Sequence, residues 1–213
     1  MRGFISAAAA LLLPVAALAQ TAATPPILLE AEEIALARSA APAEVTDGAT
    51  ILVLLEGRYR TAAEGSNGVT CMVSRSLPLS LEPICYDPEA SRTILALEIR
   101  RVEMRLSGLS PEEVDQRIAE AIGSGELLLP QRPAMAYMLS AGQILYSDAE
   151  TSVGAFVPHI HLYMPYATAA QFGGLGAGPP VAPAVMSDEG KPTANLIVFV
   201  REFVEVTGAS AGN

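Results

Sequence analysis

Histidine, cysteine and lysine are almost missing from this chain of 213 residues, which holds two histidines, two cysteines and a single lysine, Lys191. Arginine therefore carries nearly all the positive charge. The 13 basic residues face 23 acidic ones, for a formal net charge of −10. A surface this acidic repels phosphate backbones, and no basic patch with interleaved aromatics offsets it, so nucleic acid is not an expected partner. The preference for arginine, with the abundance of alanine, suggests a GC-rich bacterial genome. No Gly-x-Ser-x-Gly elbow and no zinc-protease helix motif occur, so the common signatures of serine and metallo-hydrolases are absent. There is no internal repeat, and beyond the N-terminus no run is long and apolar enough to span a bilayer.

The N-terminus reads MRGFISAAAALLLPVAALAQ. One positive residue, an apolar stretch and the string Ala17-Leu18-Ala19 have the layout of a secretory signal peptide over residues 1–19, with cleavage expected after Ala19. The competing reading, a membrane anchor, suffers from a slightly short apolar stretch broken by Pro14. Residues 20–26 then read as a linker, 27–207 as one α+β domain of a size that suits a single core, and 208–213 as a disordered tail. Export to a secreted or periplasmic location makes a Cys71–Cys85 disulfide the expected state of the two cysteines. The rival reading makes one of them a nucleophile with a histidine base, which a bonded sulfur cannot serve.

Along the chain, ILLEAEEIALARSA predicts a short helix with Leu28, Ala31, Ala35 and Arg38 on a mostly apolar side and Glu30, Glu32 and Glu33 opposite. ATILVLLE predicts a buried strand. Asn67-Gly68 predicts a hairpin turn between RYRTAA and VTCMVS, with Val69, Cys71 and Val73 on one inward face. Arg58 and Arg60 share a face there and could hold an anion together with Arg75, although a solvated strand face is the commoner explanation. Asp87-Pro88 starts a helix of about 20 residues whose packed stripe is Leu95, Ile99, Val102 and Leu106. Ser110-Pro111-Glu112-Glu113 is a capping box that opens a second helix with Val114, Ile118 and Ile122 inward. AMAYMLSA, QILYS, FVPHIHLYMP and NLIVFV read as strands. Between the last two, the glycine- and proline-rich stretch from Gln171 to Pro192 reads as a surface loop, a candidate lid. The order of elements predicts an α+β fold, a mainly antiparallel sheet with an antiparallel helix pair packed on one face.

Both histidines lie in FVPHIHLYMPY. Alternation sets Ile160, Leu162 and Met164 on one face, taken as the core face, and His159, His161 and Tyr163 on the other. That second face suits a half-exposed strand, an edge strand bounded by Pro158 and Pro165, or the floor of a pocket, and only the last would carry chemistry. His159 and His161 could hold zinc or another divalent metal if a third ligand joined them, the nearest in sequence being Asp148 and Glu150. The motifs NGVTC, CYDPE, YMLS and PHIHLYMP resemble those of a loosely defined group of uncharacterised secreted bacterial proteins, over roughly Glu30 to Val200. The resemblance implies export and a similar fold, and brings neither an activity nor site residues. The expected function is that of an exported binding or interaction module without a cofactor, whose partner is a small molecule or a protein. The alternative is a secreted enzyme, a metal-dependent hydrolase among others, that uses His159, His161 and Tyr163.

Overall fold

A computed structural model describes residues 26, 28–75, 79–146, 152–154, 157–175 and 184–204. The expected signal peptide, the linker except Pro26, and the tail fall outside these residues, as do Asp148, Glu150 and the middle of the glycine-rich stretch. The described elements are α1 (Glu30–Arg38), α2 (Ala43–Thr46), β1 (Thr50–Leu55), β2 (Arg58–Ala63), β3 (Thr70–Ser74), β4 (Glu82–Tyr86), α3 (Pro88–Arg92), α4 (Ile94–Leu106), α5 (Pro111–Gly123), β5 (Ala134–Met138), β6 (Leu145–Tyr146), β7 (Ser152–Gly154), β8 (His159–Tyr163), β9 (Ala184–Ser187) and β10 (Asn195–Phe199). Eight strands form one sheet in the order β2-β1-β3-β4-β5-β8-β10-β9, while β6 and β7 pair separately. Within the large sheet only β1 and β3 run parallel, so the fold is α+β with a mostly antiparallel sheet. No helix among the described residues is long and apolar enough to cross a membrane.

Helical layers lie on both faces of the sheet. Cys71 and Val73 of β3 pack with Leu36 and Ala37 of α1, whereas Met72 between them packs with Ile94 and Leu95 of α4. Alternation along the strand makes these opposite faces. A third apolar cluster joins Leu97 of α4 to Val114, Ile118 and Ala121, so α5 rests on α4.

Several local expectations change once the chain is packed. In α1, Ala31 is exposed and Glu33 is buried, because Glu33 Oε1 accepts hydrogen bonds from the Leu54 amide at 3.1 Å and from the Arg75 guanidinium at 3.4 Å. A charge placed beside a buried partner overrides the apolar stripe. The tight hairpin joins β1 to β2 instead of β2 to β3: Leu55 faces Arg58 across a two-residue turn in which Glu56 and Gly57 have φ of 50° and 77°. Both positive angles suit the right-handed twist of the strands. β1 thus lies between β2 and β3, and Asn67 serves a different purpose, its Nδ2 donating to Val45 O and its Oδ1 accepting from the Val69 amide. The long helix breaks at Thr93, which leaves helical geometry at φ −127° and ψ −77°. Asp87 caps the first piece by accepting from the Ala90 amide at 2.7 Å, and the Ser110 capping box forms as expected. Of the predicted stripe Leu95 and Val102 are buried, and Ile99 and Leu106 are half-buried. Finally, the stretch expected to be a loop holds β9.

Gly65 shows how closely the returning chain approaches β1. A Cβ at this position would stand 2.2 Å from the Thr50 nitrogen and 2.3 Å from the Ala49 carbonyl carbon, both backbone atoms that cannot step aside. Gly65→Ala should therefore destabilise the fold by about 1–3 kcal/mol, a cost typical of overpacking. Chemical denaturation would check this, and an unchanged midpoint would show that the loop relaxes freely.

Candidate functional site

On the α4 side of the sheet, a cavity of about 180 Å³ lies between that helix and the strands from β3 to β10. Ile94, Leu97, Glu98 and Arg101 line it from α4, at the three- and four-residue spacings that share one helical face. Ser74 of β3, Glu82, Ile84 and Tyr86 of β4, Met138 of β5, and His161 and Tyr163 of β8 form its floor, while Ser187, Asp188, Thr193 and Asn195 close one end. Room for these larger groups comes from alanine: Ala134 stands opposite Tyr163 and Ala136 opposite His161 across the β5–β8 ladder. Asp188, which follows β9 with φ of 51°, occupies a left-handed conformation that aspartate tolerates better than most residues.

The face assignment expected for β8 is reversed in burial. His159 and Tyr163 are buried and His161 between them is half-buried, as are Ile160, Leu162 and Met164 on the other face. Tyr163 on this face packs with Ile94 and Leu95 of α4, and the main contacts of α1 are with β1, β3 and β4 on the other. An alternating strand supplies two faces, and the side that receives a helix becomes the buried one.

Hydrogen bonds fix both imidazoles. His159 Nδ1 donates to the Val157 carbonyl at 2.7 Å, since a carbonyl can only accept. His161 Nδ1 lies 2.9 Å from Asn195 Oδ1, and Asn195 Nδ2 is committed to the Thr193 carbonyl at 3.0 Å. That commitment leaves Oδ1 as the acceptor and assigns the proton to His161 Nδ1. His161 Nε2 then carries the lone pair, and it faces Met138 Sδ at 3.1 Å. The two imidazole centroids are 4.9 Å apart, and the Tyr163 ring stacks 6.0 Å from that of His161.

Burial dominates the electrostatics. It pushes His161 down to about 3, with the neighbouring His159 adding to the fall and the Asn195 bond opposing it, and it lowers His159 as well. Both rings are neutral at ordinary pH. Tyr163 and Tyr86 are raised well above their usual values, first by burial, then for Tyr163 by Glu98 and for Tyr86 by Tyr163, Glu98, Tyr59 and Glu82. The lining thus sets three carboxylates, Glu82, Glu98 and Asp188, against one guanidinium, Arg101. Glu98 accepts from Ser74 Oγ at 2.9 Å and pairs with Arg101 Nη1 at 3.3 Å, and Arg101 Nε is buried without a protein partner. Asp188 accepts from Thr193 Oγ1 at 2.6 Å.

Of the residues singled out from sequence, His161 and Tyr163 line the cavity, and His159 stands beside His161. The three arginines are not brought together. Arg58 and Arg60 are exposed on the edge strand β2, whereas Arg75 is buried against Glu33. Arg58 instead borders an open groove of about 1130 Å³ between α4, α5 and the β1–β2 turn, where Arg100 and Arg117 alternate with Glu56, Glu103, Glu120 and Glu126. Charges of both signs interleave there, and no donor set converges. Cys71 and Cys85 face each other across β3 and β4 and are joined by a disulfide. No group of three histidine, cysteine, aspartate or glutamate side chains that could hold a metal occurs among the described residues.

Sequence reading missed Met138, Glu98, Arg101, Asp188 and Asn195. The α4 pair had a readable signal, because Ile94, Leu97, Glu98 and Arg101 form an alternative stripe beside the apolar one. Asn195 and Asp188 had none, since their place depends on pairing between distant strands. Set against protein-family models, curated proteins and solved structures, the chain finds no match.

Proposed function

We propose that this protein is an exported binding module whose cavity beneath α4 receives a small cationic ligand. The observation that carries this reading is the lining itself, in which three carboxylates, Glu82 buried and Glu98 and Asp188 half-buried, face one guanidinium, Arg101, and the His161 ring is already fixed by a hydrogen bond. A low-dielectric pocket with this balance favours a positive guest, while Ile84, Ile94 and Leu97 contribute apolar wall. Arg105 and Lys191 approach from outside the lining, and Lys191 is exposed enough to be screened by water. The volume admits a molecule of only a few heavy atoms, on the order of six waters. The disulfide and the signal-like N-terminus both support export.

Binding is favoured over the enzymatic alternative by the state of His161. A general base works best with a pKa near the working pH, and an imidazole held near 3 takes up a proton poorly at pH 7.

Ethanolamine and ethylene glycol, nearly equal in size and differing in charge, test the reading. Calorimetric titration at pH 7 should detect ethanolamine binding and no binding of the glycol. Glu98→Gln should weaken ethanolamine at least tenfold, about 1.4 kcal/mol. Equal responses to the two compounds would remove the basis for a cationic guest.

A further inference from the structure

Tyr86 and Tyr163 line the cavity at 1% and 9% exposure, and among the described residues neither hydroxyl meets a hydrogen-bonding group. A buried donor left without an acceptor is costly, so an acceptor supplied by a guest is favoured there. Arg101 adds to this deficit. Among the described residues its guanidinium bonds through Nη1 alone, to Glu98 Oε2 at 3.3 Å, and its Nε is buried without a partner. Glu98 and Asp188 offer the opposite chemistry in the same cavity. Glu98 accepts from Ser74 Oγ at 2.9 Å as well as from Arg101, and Asp188 accepts from Thr193 Oγ1 at 2.6 Å, so each carboxylate keeps lone pairs for a further donor. Unmatched donors and negative acceptors thus share one small space.

Resting on the cavity reading above, we infer that the guest is a small zwitterion, a free amino acid of the size of glycine or alanine, with its ammonium group held by Glu98 and Asp188 and its carboxylate by Arg101 and the hydroxyls of Tyr86 and Tyr163. A guanidinium matches a carboxylate in charge and in shape, and phenol O–H groups add charge-assisted bonds to the same oxygens. A plain amine would satisfy the carboxylates and leave these donors unused. An amino acid carries both charges on neighbouring carbons, so one molecule answers both halves of the lining. Its charges cancel, and its entry therefore adds no net charge to a low-dielectric interior. The cavity of about 180 Å³ admits the backbone of such a molecule and excludes long side chains.

The test is a calorimetric titration of the full-length protein at pH 7 with glycine, ethanolamine and acetate. Glycine should bind at least about tenfold more tightly than ethanolamine, and acetate, which lacks the ammonium group, should not bind. Arg101→Gln should bring glycine down to the level of ethanolamine while leaving ethanolamine at least as tight as in the wild type, because removing a nearby positive charge favours a cation. Tyr163→Phe keeps the ring and removes only the hydroxyl, so it should weaken glycine about tenfold and ethanolamine by a smaller factor. Thermal melts identify a variant that fails to fold, and Tyr163→Phe keeps the test decisive if Arg101→Gln does. Equal losses of both ligands in folded Arg101→Gln protein would mean that Arg101 only supports the wall, and would overturn the inference, as would acetate binding as tightly as glycine. Ethanolamine binding with glycine no tighter would overturn the amino-acid assignment and leave the cationic cavity standing. Failure of both amines to bind would remove the cavity reading and this inference together.

Discussion

Reduction of the Cys71–Cys85 disulfide should lower stability by about 2–5 kcal/mol, which for a chain of this size is roughly 5–15 °C in melting temperature. The bond closes a loop with a sequence separation of 14 and links neighbouring strands in register, with both sulfurs buried beneath α1. Its removal frees the β3–β4 connection in the unfolded chain without changing the native pairing, so the loss should come chiefly from the denatured ensemble. Thermal melts of oxidised and reduced protein, followed by circular dichroism, provide the comparison. Thiol titration of the unfolded, unreduced protein should find no free sulfhydryl. Two titratable thiols in exported material would contradict the bond.

Acid should destabilise the protein through His161. Its folded value of about 3 lies below the ordinary 6.5, so between these limits the unfolded chain binds a proton that the folded one refuses. Stability from this residue is therefore fully present above pH 6.5 and is lost as pH falls toward 3, by roughly 4 kcal/mol in all. His159, lowered mainly by burial, acts in the same direction. The charged groups facing this region are Glu82 from β4, Glu98 and Arg101 from α4 and Asp188 after β9, and the carboxylates among them soften the fall without reversing it. Urea unfolding at pH 7, 5 and 4 should show the wild-type midpoint dropping more steeply than that of His161→Asn, since carboxylate protonation is common to both. Parallel pH profiles would mean that the ring is hydrated and titrates freely.

What the sequence disclosed was local chemistry. The aspartate cap at Asp87, the capping box at Ser110 and the inward run Val69, Cys71 and Val73 depend on neighbours within a few residues, and each forms as read. The disulfide was legible from the even number of cysteines together with the signal-like N-terminus. The misread features depend on distant partners. Glu33 is buried because Arg75, 42 residues away, waits for it. The histidine face of β8 is buried because the α4 layer covers that side, and nothing in HIHLY says which side it will be. The Asn67-Gly68 signal is genuine turn chemistry used without a hairpin, because β1 enters between the strands it was expected to join. For the candidate site, two of the lining residues and their neighbour His159 were legible as a polar strand face, whereas Glu98, Arg101, Met138, Asp188 and Asn195 join them only through tertiary packing.

The most direct measurement of cation binding beneath α4 is an NMR titration of isotopically labelled protein with ethanolamine at pH 7. Signals from the His161 and Tyr163 rings, the Asn195 side-chain amide and the Ile94 methyl groups should shift together and saturate, with those of Arg58, Arg100 and Arg117 around the open groove unmoved. Shifts confined to that groove, or none in the cavity at saturating ligand, would contradict the assignment of this cavity as the binding site.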